Sequence, residues 1–231
     1  MFCTGAGLLD RALVTASAPE RLLIDVALRA NSNTLNFDCT SWKASAFLAT
    51  QTATVIFTDT PVCERDVIGG SDWYVNRPGF WHGACGPAAC WAGGAIGLVD
   101  YARARSRSDA HTLAHLGAMH AGAWALGGYL DAAGREIDRE PTDWNAAHLR
   151  ALTVRHLVEE ACSDILRRLG RAYGPRALAY DATVSRRYQE LELYIRQSHG
   201  ERDLEVLGRG VGDLTQPHSF LRAAPSSEGM A

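Results

Sequence analysis

"GFWHGACGPAACWAGGAIGLV", from Gly79 to Val99, is the stretch on which the fold turns. It is long enough to cross a bilayer, and Gly93 and Gly97 form the small-xxx-small pair that lets membrane helices approach. Its composition argues the other way. Gly and Ala dominate, His82 and Pro87 interrupt it, and the Leu/Ile/Phe density that drives insertion is missing. The stretch reads as a soluble helix, packed closely on a neighbour through small residues, starting near Gly83 and ending about Arg105. No membrane partner is expected.

Downstream, the apolar period stays helical. Leu113, Leu116, Met119, Ala123, Leu126 and Leu130 step by three and four along a second helix. "PTDWN" supplies start signals for a third, whose buried stripe is Val154, Val158, Ala161, Ile165 and Leu169; Gly170 and "YGP" should stop it. The fourth is "RRYQELELYIRQSHGERDLEVLGR", Arg186 to Arg209, preceded by Val184 and striped by Tyr188, Leu191 and Ile195. Short connections predict an antiparallel four-helix bundle over 79–209. A Pro/Ser/Gly-rich tail, 210–231, is expected to fray.

Upstream, the period changes to two. "RALVTAS", "RLLIDVAL", "NTLNF" and "TATVIFTD" are strand-like runs between polar, Pro and Asn breaks. In the last, Ala53, Val55 and Phe57 share one face, with Thr52, Thr54, Ile56 and Thr58 on the other. "GGSDWYVNRPGF" then breaks the chain, so 1–78 forms a partial antiparallel β-domain. Strands followed by helices predict an α+β fold, not a doubly wound sheet.

Composition excludes some classes. The 231 residues carry a formal net charge of −3, Lys43 is the lone lysine, and the arginines are dispersed, which argues against a nucleic-acid partner. Six cysteines are scattered without a CxxC, and "MFCTGAGLLDRALVTAS" has no basic leader, so a cytoplasmic location is expected.

Four segments resemble the acyl-CoA dehydrogenase family. "FCTGAGLLDRALVTA" is similar to the family strand that reads Trp-Ile-Thr-Asn-Gly. In "WKASAFLATQTATVIFTDTPVCERDVIGG", Trp42, Ala49, Thr50, Val55, Phe57, Asp59 and Gly69 fall on the later β-domain pattern. "GACGPAACWAGGAIGLVDYARAR" resembles the first bundle helix, and "LRRLGRAYGPRALAYDATVSRRY" the segment around its Gly-Gly and Arg-Asp. The resemblance spans nearly the whole chain, through degenerate motifs. It implies that the chain enters midway through the family's β-domain. The N-terminal helical domain and the Thr-Glu-Pro segment would then come from a partner chain or a longer gene.

The resemblance also implies FAD, held between β-domain and bundle. Phe2, Cys3 and Thr4 match Trp-Ile-Thr, whose aromatic ring shields the isoalloxazine and whose hydroxyl bonds near its N5; the alternative is an ordinary strand start. Desaturating an acyl thioester needs a base, a Glu in the family's last helix. Here Ile195 or Arg196 stands there, and His199, Glu192 and Glu201 are the replacements. His199 is the catalytic candidate, because related flavin monooxygenases use a His in this helix and imidazole titrates near neutral pH; its alternative is a silent helix histidine. The Arg-x-x-Phe-Gly flavin grip is absent, with Arg103 or Arg105 as stand-ins, while Arg167, Arg168 and Arg171 could meet a phosphate or simply face solvent.

No metal site is expected. His111 and His115 are one turn apart and His156 precedes Glu159 and Glu160, but the Glu-x-x-His pairs of a di-iron bundle are missing. Three readings therefore stand: an acyl-CoA dehydrogenase-like FAD oxidoreductase acting on an acyl thioester, a non-catalytic subunit pairing with a complete homologue, and a flavin monooxygenase. A homo-oligomer, or a hetero-oligomer with a longer homologue, is expected in each.

Overall fold

The structure, a computed structural model, describes residues 2–17 and 19–212. The apolar, β-branched runs become strands β1 (Phe2–Cys3), β2 (Arg11–Ser17), β3 (Arg21–Ala27), β4 (Leu35–Asp38), β5 (Ala53–Phe57) and β6 (Val67–Ile68). They form two three-stranded antiparallel sheets, ordered β1-β5-β4 and β2-β3-β6. In the first, Cys3 faces Ala53 and Asp38 faces Thr54. In the second, Leu13 faces Asp25, and Arg11 reaches diagonally to that carboxylate at 2.9 Å. The alternation expected of β5 holds only at its start. Thr52 and Ala53 are buried, whereas Ile56 and Phe57 are exposed on opposite faces.

After Gly69 the chain is helical: α1 (Trp73–Asn76), α2 (Pro78–Ala104), α3 (Ala110–Arg139), α4 (Trp144–Tyr180), α5 (Ala182–Ile195) and α6 (Glu201–Gly212). Among the described residues no helix is long and apolar enough to cross a membrane. The α+β architecture read from the two periods is the one observed.

The helix α2 starts five residues before the expected Gly83, because Pro78 at the first helical position supplies a preset φ and needs no donor there. Each glycine inside α2 costs about 1 kcal/mol relative to alanine. Packing offsets this: Ala88, Trp91, Ala92, Ala95, Leu98, Val99 and Ala102 are buried, and each large member contributes roughly 1.5–3 kcal/mol. Aspartates cap the next three helices. Asp109 accepts the Thr112 amide at 2.8 Å, Asp143 that of Ala146 at 2.9 Å, and Asp181 those of Thr183 and Val184.

The directions follow from long-range contacts. The Arg150–Glu136 pair makes α3 and α4 antiparallel when taken with His115 near Arg168. Arg196 on Glu159 does the same for the end of α5 against α4. Tyr173 donates to the Ala102 carbonyl at 2.6 Å and Arg155 to that of Ala84 at 3.4 Å, so α2 and α4 run parallel across an up-down-up-down bundle. Their shared core includes Trp91, Leu98, Met119, Leu126, Val158, Ile165, Leu169, Val184 and Ile195.

Three details of the expected helices are corrected. Along α3 the buried face is Thr112, His115, Met119, Leu126 and Ala133, while Leu113 is largely exposed. The other expected positions do meet the core: Met119 and Leu126 are buried and Leu116, Ala123 and Leu130 pack against it, joined by the smaller and polar Thr112, His115 and Ala133. The segment read as one helix from Arg186 to Arg209 is two: α5 ends at Ile195, Gly200 takes φ 54°, and α6 turns onto α4. In α4 the chain runs past Gly170 and breaks at Gly174 (φ 65°, ψ −168°), a region only glycine occupies without strain. Most of the expected tail, 213–231, lies outside the described residues; residues 210–212 close α6.

Candidate functional site

A cleft of about 390 Å³ opens where the loop before β5 meets the bundle. That is within the range of small-molecule and cofactor sites. One wall is the face of α2 carrying Gly93, Gly94 and Gly97; the other is α5, with Arg187, Glu190, Leu191 and Tyr194. Phe47 closes it from the β side, edge-on to Tyr194 with ring centroids 5.8 Å apart. A side chain added at Gly93 would meet nothing within 4 Å, so the space beside it is free, whereas Gly94 is already covered by Leu191 at 3.3 Å. The Tyr194 hydroxyl bonds with the Cys90 thiol, and burial followed by that neighbour pushes its pKa up, so it remains a neutral phenol.

The loop is fixed to the bundle by Ser45, which donates to the Gln189 amide oxygen on α5 at 2.8 Å. It is fixed to the sheet by a row of hydroxyls. Thr4 lies 3.2 Å from Thr52, Thr52 lies 2.8 Å from Thr50, and Thr50 donates to the Phe47 carbonyl at 2.7 Å. Residues 2–4 thus connect, through threonines, to the aromatic lid of the cleft. Phe2 pairs with Thr54 in β1, and its side chain lies outside the described residues; Cys3 and Thr4 are exposed.

His199 lies beyond the end of α5, in the turn to α6, with 64% of its side chain exposed. Its Nδ1 is 3.1 Å from Asp203 Oδ1, and its backbone amide donates to Oδ2 at 3.4 Å. Asp203 in turn faces Arg155 at 3.9 Å. Arg155 is buried, donates to the Gln197 carbonyl at 2.7 Å, and lies 5.0 Å over the Trp91 ring. Trp91 is edge-on to Tyr194 at 6.0 Å. Cleft and histidine turn are therefore two ends of one packed network, Tyr194–Trp91–Arg155–Asp203–His199.

The remaining candidates have other occupations. Glu192 pairs with Arg196 at 3.1 Å, and Glu201 is exposed on the first turn of α6. Arg103 pairs with Asp100, and Arg105 with the Asp181 cap; Arg167 and Arg168 both hold Asp164, whose carboxyl is kept low by these hydrogen bonds against its own burial. His115 is buried beside His111 and is held neutral, first by burial and then by His111 and the arginines. Among the described residues no three His, Cys, Asp or Glu side chains are grouped to hold a metal ion.

Several members of this site escaped the sequence. Glu190 is the carboxylate that lines the cleft, yet on the helix it looks like one more solvated charge. Asp203 stands four residues after His199, a spacing that places both on one helical face and could have been noticed. Arg155 gave no signal, being one position from the apolar stripe residue Val154.

No protein-family profile matches the chain, and no curated protein matches it. Solved structures do. Butyryl-CoA dehydrogenase from Megasphaera elsdenii superposes with a TM-score of 0.71 at 15% identity, over 91% of this chain and 58% of its own. XiaF from Streptomyces sp., solved in complex with FADH2 and glycerol, gives 0.70 at 20%, over 93% and 63%. Methanesulfinate monooxygenase MsuC from Pseudomonas fluorescens gives 0.72 at 15%, over 94% and 63%. The chain thus spans about three-fifths of the length of the structures it matches, and the fold it adopts is the one found in the acyl-CoA dehydrogenases.

Proposed function

We propose that this chain is the cofactor-facing part of an FAD-dependent oxidoreductase that acts on the CH–CH group of an acyl thioester. The observation that carries this reading is the cleft between the Phe47 loop and the glycine face of α2, in a fold whose solved examples include an acyl-CoA dehydrogenase and a complex with FADH2. The residues present suit a flat ring. Gly93 leaves room that any side chain would fill, and Phe47 and Tyr194 supply aromatic walls, while the hydroxyls of Thr4, Thr52 and Thr50, bonded in a row, tie the Phe47 loop to the sheet. A flavin, when bound, supplies a hydride acceptor.

The chain's own groups would do the rest. The aromatic pair Phe47–Tyr194 would exclude water from the cleft, and Cys3 and Thr4 would approach the ring from the sheet side. Arg187, at the cleft mouth, would meet an anionic part of substrate or cofactor. His199 would accept a substrate proton at Nε2, the ring nitrogen that no hydrogen bond among the described residues uses. Exposed Leu8, Leu9, Leu13 and Trp124 support assembly into a homo-oligomer or with a longer homologue.

A second reading, a flavin monooxygenase, is favoured by one feature: a His–Asp pair occupies the region where a dehydrogenase would place a carboxylate base. The test is anaerobic mixing of FAD-loaded protein with a panel of acyl-CoA thioesters. Bleaching of the flavin by thioester alone supports the dehydrogenase. Flavin that is reduced only by an external reductase, followed by oxygen-dependent substrate oxidation, supports the monooxygenase. Protein that is colourless and takes up no added FAD overturns both and leaves the non-catalytic subunit.

A further inference from the structure

The turn between α5 and α6 places an exposed imidazole on a carboxylate that is itself shielded, Asp203 having 15% of its side chain exposed. Both oxygens of Asp203 serve His199: Oδ1 takes the ring nitrogen Nδ1 and Oδ2 takes the backbone amide. An ionised carboxylate accepts hydrogen bonds and donates none, so Nδ1 must be the protonated nitrogen. Arg155 holds the carboxylate in place. It is buried, and its guanidinium is anchored to the Ala84 and Gln197 carbonyls and to the Trp91 face before it meets Asp203. The second imidazole near Asp203, His148, is packed between Trp81 and Trp144, with ring centroids 4.1 and 4.9 Å away.

We propose that Asp203 is the positioning residue for His199: it holds the neutral imidazole as the Nδ1–H tautomer, so that the Nε2 lone pair faces outward as a proton acceptor. This rests on the reading of His199 as the proton-handling group of the flavin site. When Nε2 takes a proton from a substrate C–H or O–H, the proton stays on Nε2, the Nδ1–H stays on Asp203, and the new positive charge lies against an ionised carboxylate. Asp203 is never protonated in the step, and Arg155 acts only through Asp203. Without Asp203 the neutral ring would take the Nε2–H form usual for a solvated histidine and present no acceptor on that side.

The tautomer is directly measurable. Two-bond ¹H–¹⁵N correlation spectra of the purified full chain distinguish Nδ1–H from Nε2–H, with His199 assigned by the signal lost in His199→Ala. The expected result is Nδ1–H in the wild type and Nε2–H in Asp203→Ala. Turnover in Asp203→Ala should fall about 100-fold or more with KM little changed, and Asp203→Glu should restore part of both. A wild-type spectrum showing Nε2–H overturns the proposal whether or not any variant folds, and so does an Asp203→Ala spectrum that keeps Nδ1–H. Nδ1–H in protein that binds no flavin upholds the positioning role and overturns only the functional reading.

Discussion

Replacing Gly93 with leucine separates the cleft's role from the helix's stability, because the two respond in opposite directions. A Cβ at Gly93 meets no atom within 4 Å, so the substitution brings no clash. It removes a glycine from a helix interior, which should stabilise the protein by roughly 0.5–1 kcal/mol and raise Tm by about 1–4 °C. The same side chain projects into the space shared with Phe47 and Tyr194. Admitting a flat ring beside it would demand the displacement that overpacked sites show, about 1–3 kcal/mol, which corresponds to binding roughly 5- to 150-fold weaker. Gly117→Leu is the control: its Cβ is equally free, and Gly117 lies on the exposed face of α3 away from the cleft. Thermal unfolding should show both variants at or above wild type. Titration with FAD, read by quenching of flavin fluorescence, should show weakened binding in Gly93→Leu alone. Equal affinity in Gly93→Leu and wild type would remove the flavin from this cleft. Unfolding of Gly93→Leu would mean that α2 packs more tightly there than the geometry gives.

Other perturbations test the network and the core. Arg155→Leu leaves Asp203 and the Gln197 carbonyl without their buried partner and should cost about 3 kcal/mol in chemical denaturation; a loss below about 1 kcal/mol would mean that water replaces the guanidinium. Asp143→Ala removes the cap that accepts the Ala146 amide, with an expected loss of about 1 kcal/mol; an unchanged midpoint would show that α4 is held by packing alone. Burial pushes the Cys162 thiol up to about 12, above the 9.0 of a solvated thiol. The folded state therefore holds this proton more tightly, its contribution is complete below about pH 9, and stability should decline by roughly 1.4 kcal/mol per unit as pH rises toward 12. Denaturant midpoints between about pH 9 and pH 11 should show a shallower decline in Cys162→Ala than in wild type; equal slopes would refute the assignment.

Helix periodicity was legible where one helix face is apolar and the other charged. The stripes of α4 and α5 came through because Val158, Ile165, Val184 and Ile195 bury large side chains at regular spacing. In α3 the same counting found Leu116, Met119, Ala123, Leu126 and Leu130 but extended the face to the exposed Leu113 and passed over Thr112, His115 and Ala133. Small residues let the backbones approach, so Thr112, His115 and Ala133 reach the core while Leu113 and Trp124 face out. Hydrophobicity ranks side chains by size, and a close-packed interface selects against size. The break after Ile195 is carried by the backbone of Gly200, and a lone glycine in a helical pattern reads equally well as tolerated.

The cleft was illegible for a further reason: it is made of missing side chains and of contacts remote in sequence. Ser45 and Gln189, which join its two sides, are 144 residues apart. The glycines of α2 first suggested membrane packing, and the structure divides them between two tasks. Gly94 takes Leu191 against its backbone, which is close packing of the expected kind. Gly93, on the adjoining face, takes nothing, and a helix that already carries so many glycines would be more stable without that one. Gly117 is equally open, so openness alone decides nothing; Gly93 differs in sharing its space with Phe47 and Tyr194 in the cleft, and that placement makes it the residue through which this fold is best read as a binding site.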